Sequence, residues 1–457
     1  GLVSLRTNYQ TRRQAAVAQV LTERAREIES FPRVAAMKPL NDRSQEREAI
    51  ERRMLAIEQE MDRLGEISSG PGHYALGRGW LALHDYDAAR QHLDRALALD
   101  YSSPGVSYAL GMALGRLYQR DLTFARRIEN DELREARVAE IESNLRDPAL
   151  ALLRTGADTA VEAPQYAEAL ISFYGGRLDE ALAATRSAFE SEEWLYEAKL
   201  LEADILAEKA AGMRLNGDPD AALESLFEAD AAYTLASDIA RSDPSIHEGQ
   251  CSLWTQVMHI RSRRGEPVVG DFERAVDACD RALRIDPGRA DVHERLSHLY
   301  WRWADIVNDR GGSAEPFLRQ SIASADRAIE LDPESVPAYF TKGGALTVSA
   351  LDAMSRGADP RPTLQLAVAS YENAIDIDPA FVLAHDDLGY AWERIARYEM
   401  GVGLDPRPAL DKAITAFRRA IELRSGYANA YNNSGIALWR RAIFQLRTGS
   451  DPGDDLE

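Results

Sequence analysis

The feature that most constrains this chain is a fixed interval of 46 residues in its C-terminal half: Gly265, Gly311, Gly357, Gly403 and Gly449 recur at that spacing. Ala282, Ala328, Ala374 and Ala420 keep the same interval, as do Pro287, Pro333 and Pro379, with Ser425 in the next proline's place. Three ladders in register define a structural repeat. One such unit cannot bury its apolar face alone, so neighbouring units must stack. At 457 residues the chain is several times a typical single domain, and the repeat favours one extended array over separate globular bodies.

Each unit reads as two helices, for example Ala290 to about Asn308 and Pro316 to Leu331, followed by an Asp332-Pro333 turn. Proline lacks an amide hydrogen and restricts the residue before it, so it stops the second helix at a set place. The ladder glycine stands where the first helix ends and a left-handed cap is wanted. A polar loop follows, Asp359-Pro360-Arg361-Pro362 in one unit and Asp405-Pro406-Arg407-Pro408 in the next, and restarts the chain in a new direction. The small alanines predict close helix-to-helix contact at Ala374 and Ala420, and Tyr371 and Phe417, three residues earlier, are expected to fill the space between hairpins.

Leu76-Gly77 with Trp80, then Ala89, Leu93 and Ala96, follow the tetratricopeptide pattern, and Leu388-Gly389 with Trp392, then Ala413, Phe417 and Ala420, repeat it. Leu296 and Tyr300 with Ala328 and Pro333 stay in phase. The chain therefore resembles the tetratricopeptide repeat family, which implies an all-α, right-handed superhelical solenoid of antiparallel hairpins. The first unit has the family's usual length, and the later ones carry about 12 further residues, mostly in a longer first helix and the Asp-Pro loop. Three regions follow: a helical arm over residues 1–66, irregular hairpins over 67–245, and regular repeats over 246–457 with the last one truncated. In the middle region Pro104 to about Arg146 reads as a first helix around Leu110-Gly111 and a charged second helix, Leu122 to Leu145. Shorter and longer hairpins turn at Gly175-Gly176 and at Gly217-Asp218-Pro219.

The arm reads as two helices separated by Phe31-Pro32. In the second, Ile50, Met54, Ile57, Met61 and Leu64 are spaced by four, three, four and three, a narrow apolar seam that must pack on something. It is expected to fold back on the first helix (Ala16, Val20, Ile28) or to cap the array, with self-association through residues 1–66 as the alternative.

Net charge is −20, and residues 1–63 hold 12 Lys/Arg against 10 Asp/Glu, so the rest of the chain carries −22. Phosphate binding needs a basic footprint that the array lacks, which argues against nucleic acid and for a protein or peptide partner. No apolar run reaches the length of a membrane span, so no membrane contact by this segment is expected. Cys251 and Cys279 are too few for a disulfide framework or a four-ligand zinc site and are expected as buried free thiols, a single bridge being the alternative. Gly1 and the closing Ser450-Asp451-Pro452-Gly453, which reads as the start of another repeat, mark the chain as a piece of a longer protein.

Phosphate-binding loops, a nucleophile elbow, a kinase catalytic loop and metal-ligand clusters are absent from the sequence. His293 and His298 are five apart and so lie on different helix faces, where zinc ligation wants four. The expectation is a chain with no catalytic residue, no metal and no cofactor.

In a stack of hairpins the first helices line a groove, and residues recurring at one helical place form a stripe along it. Arg302, Arg394 and Arg440 are equivalent by the repeat, with Trp301 and Trp439 beside two of them and Tyr390 one turn before Arg394. Guanidinium forks beside aromatic rings suit an acidic peptide. The competing expectation is local pairing of these arginines with exposed acids such as Asp305 and Glu393. Glu294, Phe340 and Asp386 stand where the carboxylate clamp of chaperone-binding tetratricopeptide proteins would have its lysine, which disfavours that partner.

The Arg-rich lead-in around Gln14-Ala15-Ala16-Val17-Ala18-Gln19, the stretch Gly72-His73-Tyr74-Ala75-Leu76-Gly77-Arg78-Gly79 and the Asp-Pro-Arg-Pro loops are similar to the C-terminal region of bacterial serine/threonine protein kinases that carry tetratricopeptide arrays. That resemblance implies a binding or sensory region of a larger signalling protein, with a kinase domain and one membrane helix upstream and this region outside the cytoplasm; a cytoplasmic structural assembly module is the alternative.

Overall fold

A computed structural model describes residues 19–21, 23–24, 27–28, 31, 33–126, 131–157, 164–449 and 451. Ala16, Pro32 and the closing residues beyond 451 lie outside them. The described residues are all helix and turn, with no strand among them.

The chain forms two compact units: residues 132–260 and 280–287 together with the arm and first hairpins in one, and residues 261–279 and 288 onward in the other. In the first unit α1 (Ser44–Leu64) is followed by α2 (Glu66–Ala82), α3 (Tyr86–Ala98), α4 (Pro104–Ala125), α5 (Asp131–Ile141) and α6 (Asp147–Gly156). Then come α7 (Pro164–Tyr174), α8 (Leu178–Ser191), α9 (Tyr196–Leu215), α10 (Pro219–Ile239) and α11 (Pro244–Arg263), whose last turn, like α12 (Val269–Ile285), is divided between the units. The second unit continues with α13 (Ala290–Asp309), α14 (Glu315–Leu331), α15 (Val336–Ser355), α16 (Arg361–Ile377), α17 (Val382–Gly401), α18 (Arg407–Leu423) and α19 (Ala428–Thr448). Consecutive helices pack as hairpins, α2 with α3, α4 with α6, α7 with α8, α9 with α10, α13 with α14, α15 with α16 and α17 with α18, and the second helices α3, α6, α8, α14, α16 and α18 also pack on the next first helix. This is the stack of helical hairpins expected from the sequence.

The physical reasons for the ladders are visible. Gly265, Gly311, Gly357, Gly403 and Gly449 have φ between +73° and +86°, the left-handed region that other residues enter at a cost. In the first hairpin His84 holds the equivalent turn at φ 61°. Ala328, Ala374 and Ala420 are fully buried. Tyr371 and Phe417, buried in the core, each lie on a glycine of their own hairpin's first helix. A Cβ at Gly343 would stand 2.6 Å from the Tyr371 ring, and one at Gly389 2.6 Å from the Phe417 ring. The absent side chain lets the large one sit directly on the backbone. The Asp-Pro-Arg-Pro loops are clamps: Arg361 and Arg407 each bond the aspartate two residues earlier, with Nη2–Oδ2 distances of 2.7 Å. Their guanidinium groups lie 5.2 Å from the Tyr398 ring and 5.6 Å from the Phe444 ring, both in the next hairpin's first helix.

Two boundaries differ from the sequence reading. Leu122 belongs to α4, which runs on to Ala125, and the helix that packs on α4 is α6, reached through a π-helical turn at Glu142–Arg146. Pro148 sits in the first turn of α6, where its missing amide is tolerated and the wider π turn absorbs the offset, so it does not end the helix. In the arm, Phe31 and residues 33–36 are helical, Pro32 lies outside the described residues, and a break falls at 37–43. There Asp42 accepts from the Ser44 amide at 2.8 Å and starts α1.

The arm's seam is covered from within. Ile50, Met54 and Ile57 are buried, and Met54 and Met61 lie over Gly79 and Gly72 of α2, where added Cβ atoms would come within 2.6 and 2.3 Å of sulfur. Leu21 and Ile28 join the same core, whereas Val20, expected on that face, is exposed. Cys251 and Cys279, expected as free thiols, are buried as expected but disulfide-bonded. No helix among the described residues is long and apolar enough to cross a membrane.

Candidate functional site

The places expected from the repeat to line a groove fall, in the second unit, on α13, α15, α17 and α19. The repeat aligns Arg302, Val348, Arg394 and Arg440 at one place, and Trp301, Thr347, Glu393 and Trp439 at the place before it. The arginine stripe is thus interrupted by Val348, and the structure resolves it into two patches.

In the first patch Arg302 pairs with Asp305 of its own helix at 3.1 Å. Burial raises the Asp305 carboxyl above its ordinary range, with Arg302 opposing. The Trp301 ring lies against α15, where a Cβ on Gly344 would be 2.6 Å from it, and meets Phe340 edge-on at 6.1 Å. Trp301 Nε1 is buried without a hydrogen-bond partner.

In the second patch α17 and α19 bring Arg394 and Arg440 to one carboxylate. Glu393 is 4% exposed, not the surface acid expected from the sequence. Its Oε1 stands 2.5 Å from Arg440 Nε, and its Oε2 3.4 Å from Arg394 Nε. The contacts are coulombic but poorly aligned: Glu393 Oε1, Arg394 Nε and Arg440 Nε are buried and make no proper hydrogen bond. Arg394 also stacks on Tyr390, its guanidinium carbon 4.3 Å from the ring centre. Trp439, beside Arg440, is 57% exposed.

Next to this patch on α17, Asp386 accepts from Asn433 Nδ2 at 3.1 Å and Tyr427 Oη at 3.3 Å, both at the start of α19. Burial, with the Asp386 carboxylate beside it, pushes the Asp387 carboxyl up to about 7. Two guanidinium groups on a single carboxylate leave one positive charge over, set beside a stacked tyrosine and an exposed indole.

The structure therefore brings together Tyr390, Arg394, Arg440 and Trp439 of the residues singled out from sequence, and holds Trp301 and Arg302 on another hairpin. The pairing of Arg302 with Asp305 and of Arg394 with Glu393 is the competing expectation from the sequence; what the sequence missed is that Glu393 is buried and shared with Arg440, because its place in the repeat holds Trp, Thr, Glu and Trp in turn and so shows no periodicity. The bond of Asp386 to Asn433 was also missed, since it joins different places of successive repeats.

Among the described residues no cluster of three or more His, Cys, Asp or Glu side chains could hold a metal ion. In the first unit the nearest comparable feature is Arg116 on α4, 3.8 Å from Asp204 of α9, with Tyr233 Oη donating to Asp204 at 2.8 Å. Burial raises the Asp204 carboxyl.

No family model and no curated protein matches the chain. Among solved structures it is similar to YrrB, described as a TPR protein with an unusual peptide-binding site, at 16% identity over 55% of this chain and 96% of that one, with a TM-score of 0.36. A thermophilic TPR protein of Thermus thermophilus is 15% identical over 52% of this chain and 99% of that one, with a TM-score of 0.35. A chain of the APC/C hetero-tetramer Cut9-Hcn1 is 10% identical over 84% and 81%, with a TM-score of 0.39. Likenesses at this level carry no argument about what this chain binds.

Proposed function

We propose that this chain is a peptide-binding scaffold whose principal site is the Tyr390, Glu393, Arg394, Arg440 and Trp439 patch, with Trp301 and Arg302 as an accessory patch. One observation carries the reading: Arg394 and Arg440 share the single buried carboxylate of Glu393, which leaves one positive charge over beside the exposed Trp439 ring. The ligand that fits is an extended acidic peptide. A carboxylate side chain on that peptide meets the surplus positive charge in bidentate geometry. Trp439 offers a ring for an apolar neighbour.

A peptide display library panned on the protein tests this. Recovered sequences should be enriched in Asp or Glu beside an apolar residue, and Arg394→Gln/Arg440→Gln should weaken a recovered peptide at least tenfold. Arg302→Gln should change it less than threefold. Recovery without acidic enrichment, or binding that survives the double substitution, would sink the proposal.

Attachment to a kinase is supported by the sequence resemblance alone. An oxidising compartment is supported by the bonded state of Cys251 and Cys279, since such bonds persist outside the reducing cytosol. Thiol trapping of the protein from its native source checks this: two modified cysteines before reduction would point to a reducing compartment.

A further inference from the structure

Asp387, Tyr390 and Arg394 stand at positions i, i+3 and i+7 of α17 and so share one face of that helix. At one end of the face Arg394 stacks on Tyr390 and, with Arg440, shares the Glu393 carboxylate, which leaves a positive charge over. At the other end Asp387 is the reverse case. It is half-buried, and among the described residues no hydrogen bond or cation reaches its carboxyl; its charged neighbour is another acid, Asp386. Asp386 itself is taken up by Asn433 and Tyr427. Burial, and then the Asp387 carboxylate, push the Tyr371 phenol of α16 up, so the two groups are close, but that hydroxyl meets Thr347 Oγ1 at 3.3 Å and not Asp387. The fold does not ask for an acid here, since the repeat puts Arg295, Thr341 and Asn433 at the equivalent places. A carboxyl that burial pushes up to about 7 is costly to keep ionised without a counter-ion.

We propose that this face of α17 takes a peptide carrying both charges: an acidic side chain at Arg394 and Arg440, and a lysine or arginine about three residues away at Asp387. The proposal rests on the acidic-peptide reading of the same groove and names the second group by which that ligand is recognised. The spacing follows from the helix. Asp387 and Arg394 are two turns apart, about 10 Å along the axis, which about three residues of extended chain span. A cation brought to a half-buried carboxylate is attracted more strongly than one at an exposed acid, because water and salt screen it less. A ligand with acids alone would set a like charge against Asp387, so the carboxyl that attracts the base also rejects a polyacidic peptide.

A library of acetylated random octapeptides, panned on the full chain and on two variants of it, tests this. On the wild type, recovered sequences should pair Asp or Glu with Lys or Arg about three positions away. On Asp387→Asn the acid should remain and the base should be lost, whereas Arg394→Gln/Arg440→Gln should lose the acid. In calorimetry, replacing the base of a recovered peptide by glutamine should weaken binding to the wild type at least fivefold and binding to Asp387→Asn less than twofold. Asp387→Asn keeps the side chain's shape and discards an unpaired charge, so its melting temperature should rise at unchanged helicity by circular dichroism. A lower melting temperature would show that Asp387 has a partner within the fold and overturn the proposal. Acidic enrichment without a base, or a base that survives Asp387→Asn, would overturn it too and leave the acidic-peptide reading standing. Recovery without acidic residues on the wild type would sink both.

Discussion

At the scale of single residues, the first unit holds a pair of groups whose titration must oppose folding. His73 and His92 face each other across α2 and α3 with Nδ1 atoms 3.0 Å apart. Burial lowers the pKa of both, and for His73 the neighbouring His92 and Arg95 lower it further. A folded-state pKa below the unfolded value of about 6.5 means that the unfolded chain takes up protons the folded one refuses. Stability is therefore unaffected at pH 7.5 and falls progressively below pH 6.5, until the folded-state values are passed. Because both rings are part-exposed, solvent screening keeps the loss between pH 7.5 and 5.5 small. His92→Gln should flatten that part of the pH dependence in urea titrations; an unchanged slope would show that the pair does not titrate as described. The same scale shows what sequence can reveal of the candidate site. Arg394 and Arg440 were legible because the repeat places them in register, whereas burial of Glu393 between them depends on packing of α17 against α19.

At the scale of elements, the repeat made the hairpins readable because each ladder has its own mechanical cause: a left-handed cap, a glycine under a large side chain, an alanine at a crossing. The glycine slots give the sharpest test. At Gly389 a Cβ would fall 2.6 Å from the Phe417 ring, so Gly389→Ala must shift a fully buried aromatic in a packed core. Overpacking of this kind costs about 1–3 kcal/mol, while Gly435→Ala, facing open space, should gain about 1 kcal/mol from helix propensity. Opposite signs in paired thermal melts are the expected outcome; destabilisation by both would mean that α19 is covered. What the sequence did not reveal lies where periodicity lapses. The π turn at Glu142–Arg146 moves the second helix of its hairpin beyond Arg146, and no spacing rule marks that shift. The break at 37–43 in the arm has a related cause, since Pro39 and Asn41 find a tertiary partner there in Ser242.

At the scale of the whole molecule, a stack of hairpins is held by neighbour-to-neighbour contacts, so its parts can open one after another. The first unit departs from that rule because the segment after the arm's first helix ties distant hairpins together. Ser242 donates its amide to Ala36 O at 2.8 Å and its hydroxyl to Pro39 O at 2.9 Å. The Arg43 amide donates to Ile285 O at 2.8 Å, and Arg33 pairs with Glu197 at 2.6 Å while lying over the Trp194 ring at 5.4 Å. These links join residues about two hundred apart in sequence and engage the turns before α9 and α11 and the end of α12. Deleting residues 1–43 leaves α1 and its seam on α2 but removes the strap. The expected result is a loss of about 5–8 kcal/mol in the first unit, from several hydrogen bonds, one part-buried ion pair and the lost burial of Leu21 and Ile28. Amide exchange there should become graded from hairpin to hairpin instead of concerted, while α13 to α18 stay as they were. If the arm instead joined copies of the chain, the same deletion would lower the sedimenting mass and leave the exchange pattern of the first unit intact. Ile50, Met54 and Ile57 are already buried within one chain, so the mass should not change.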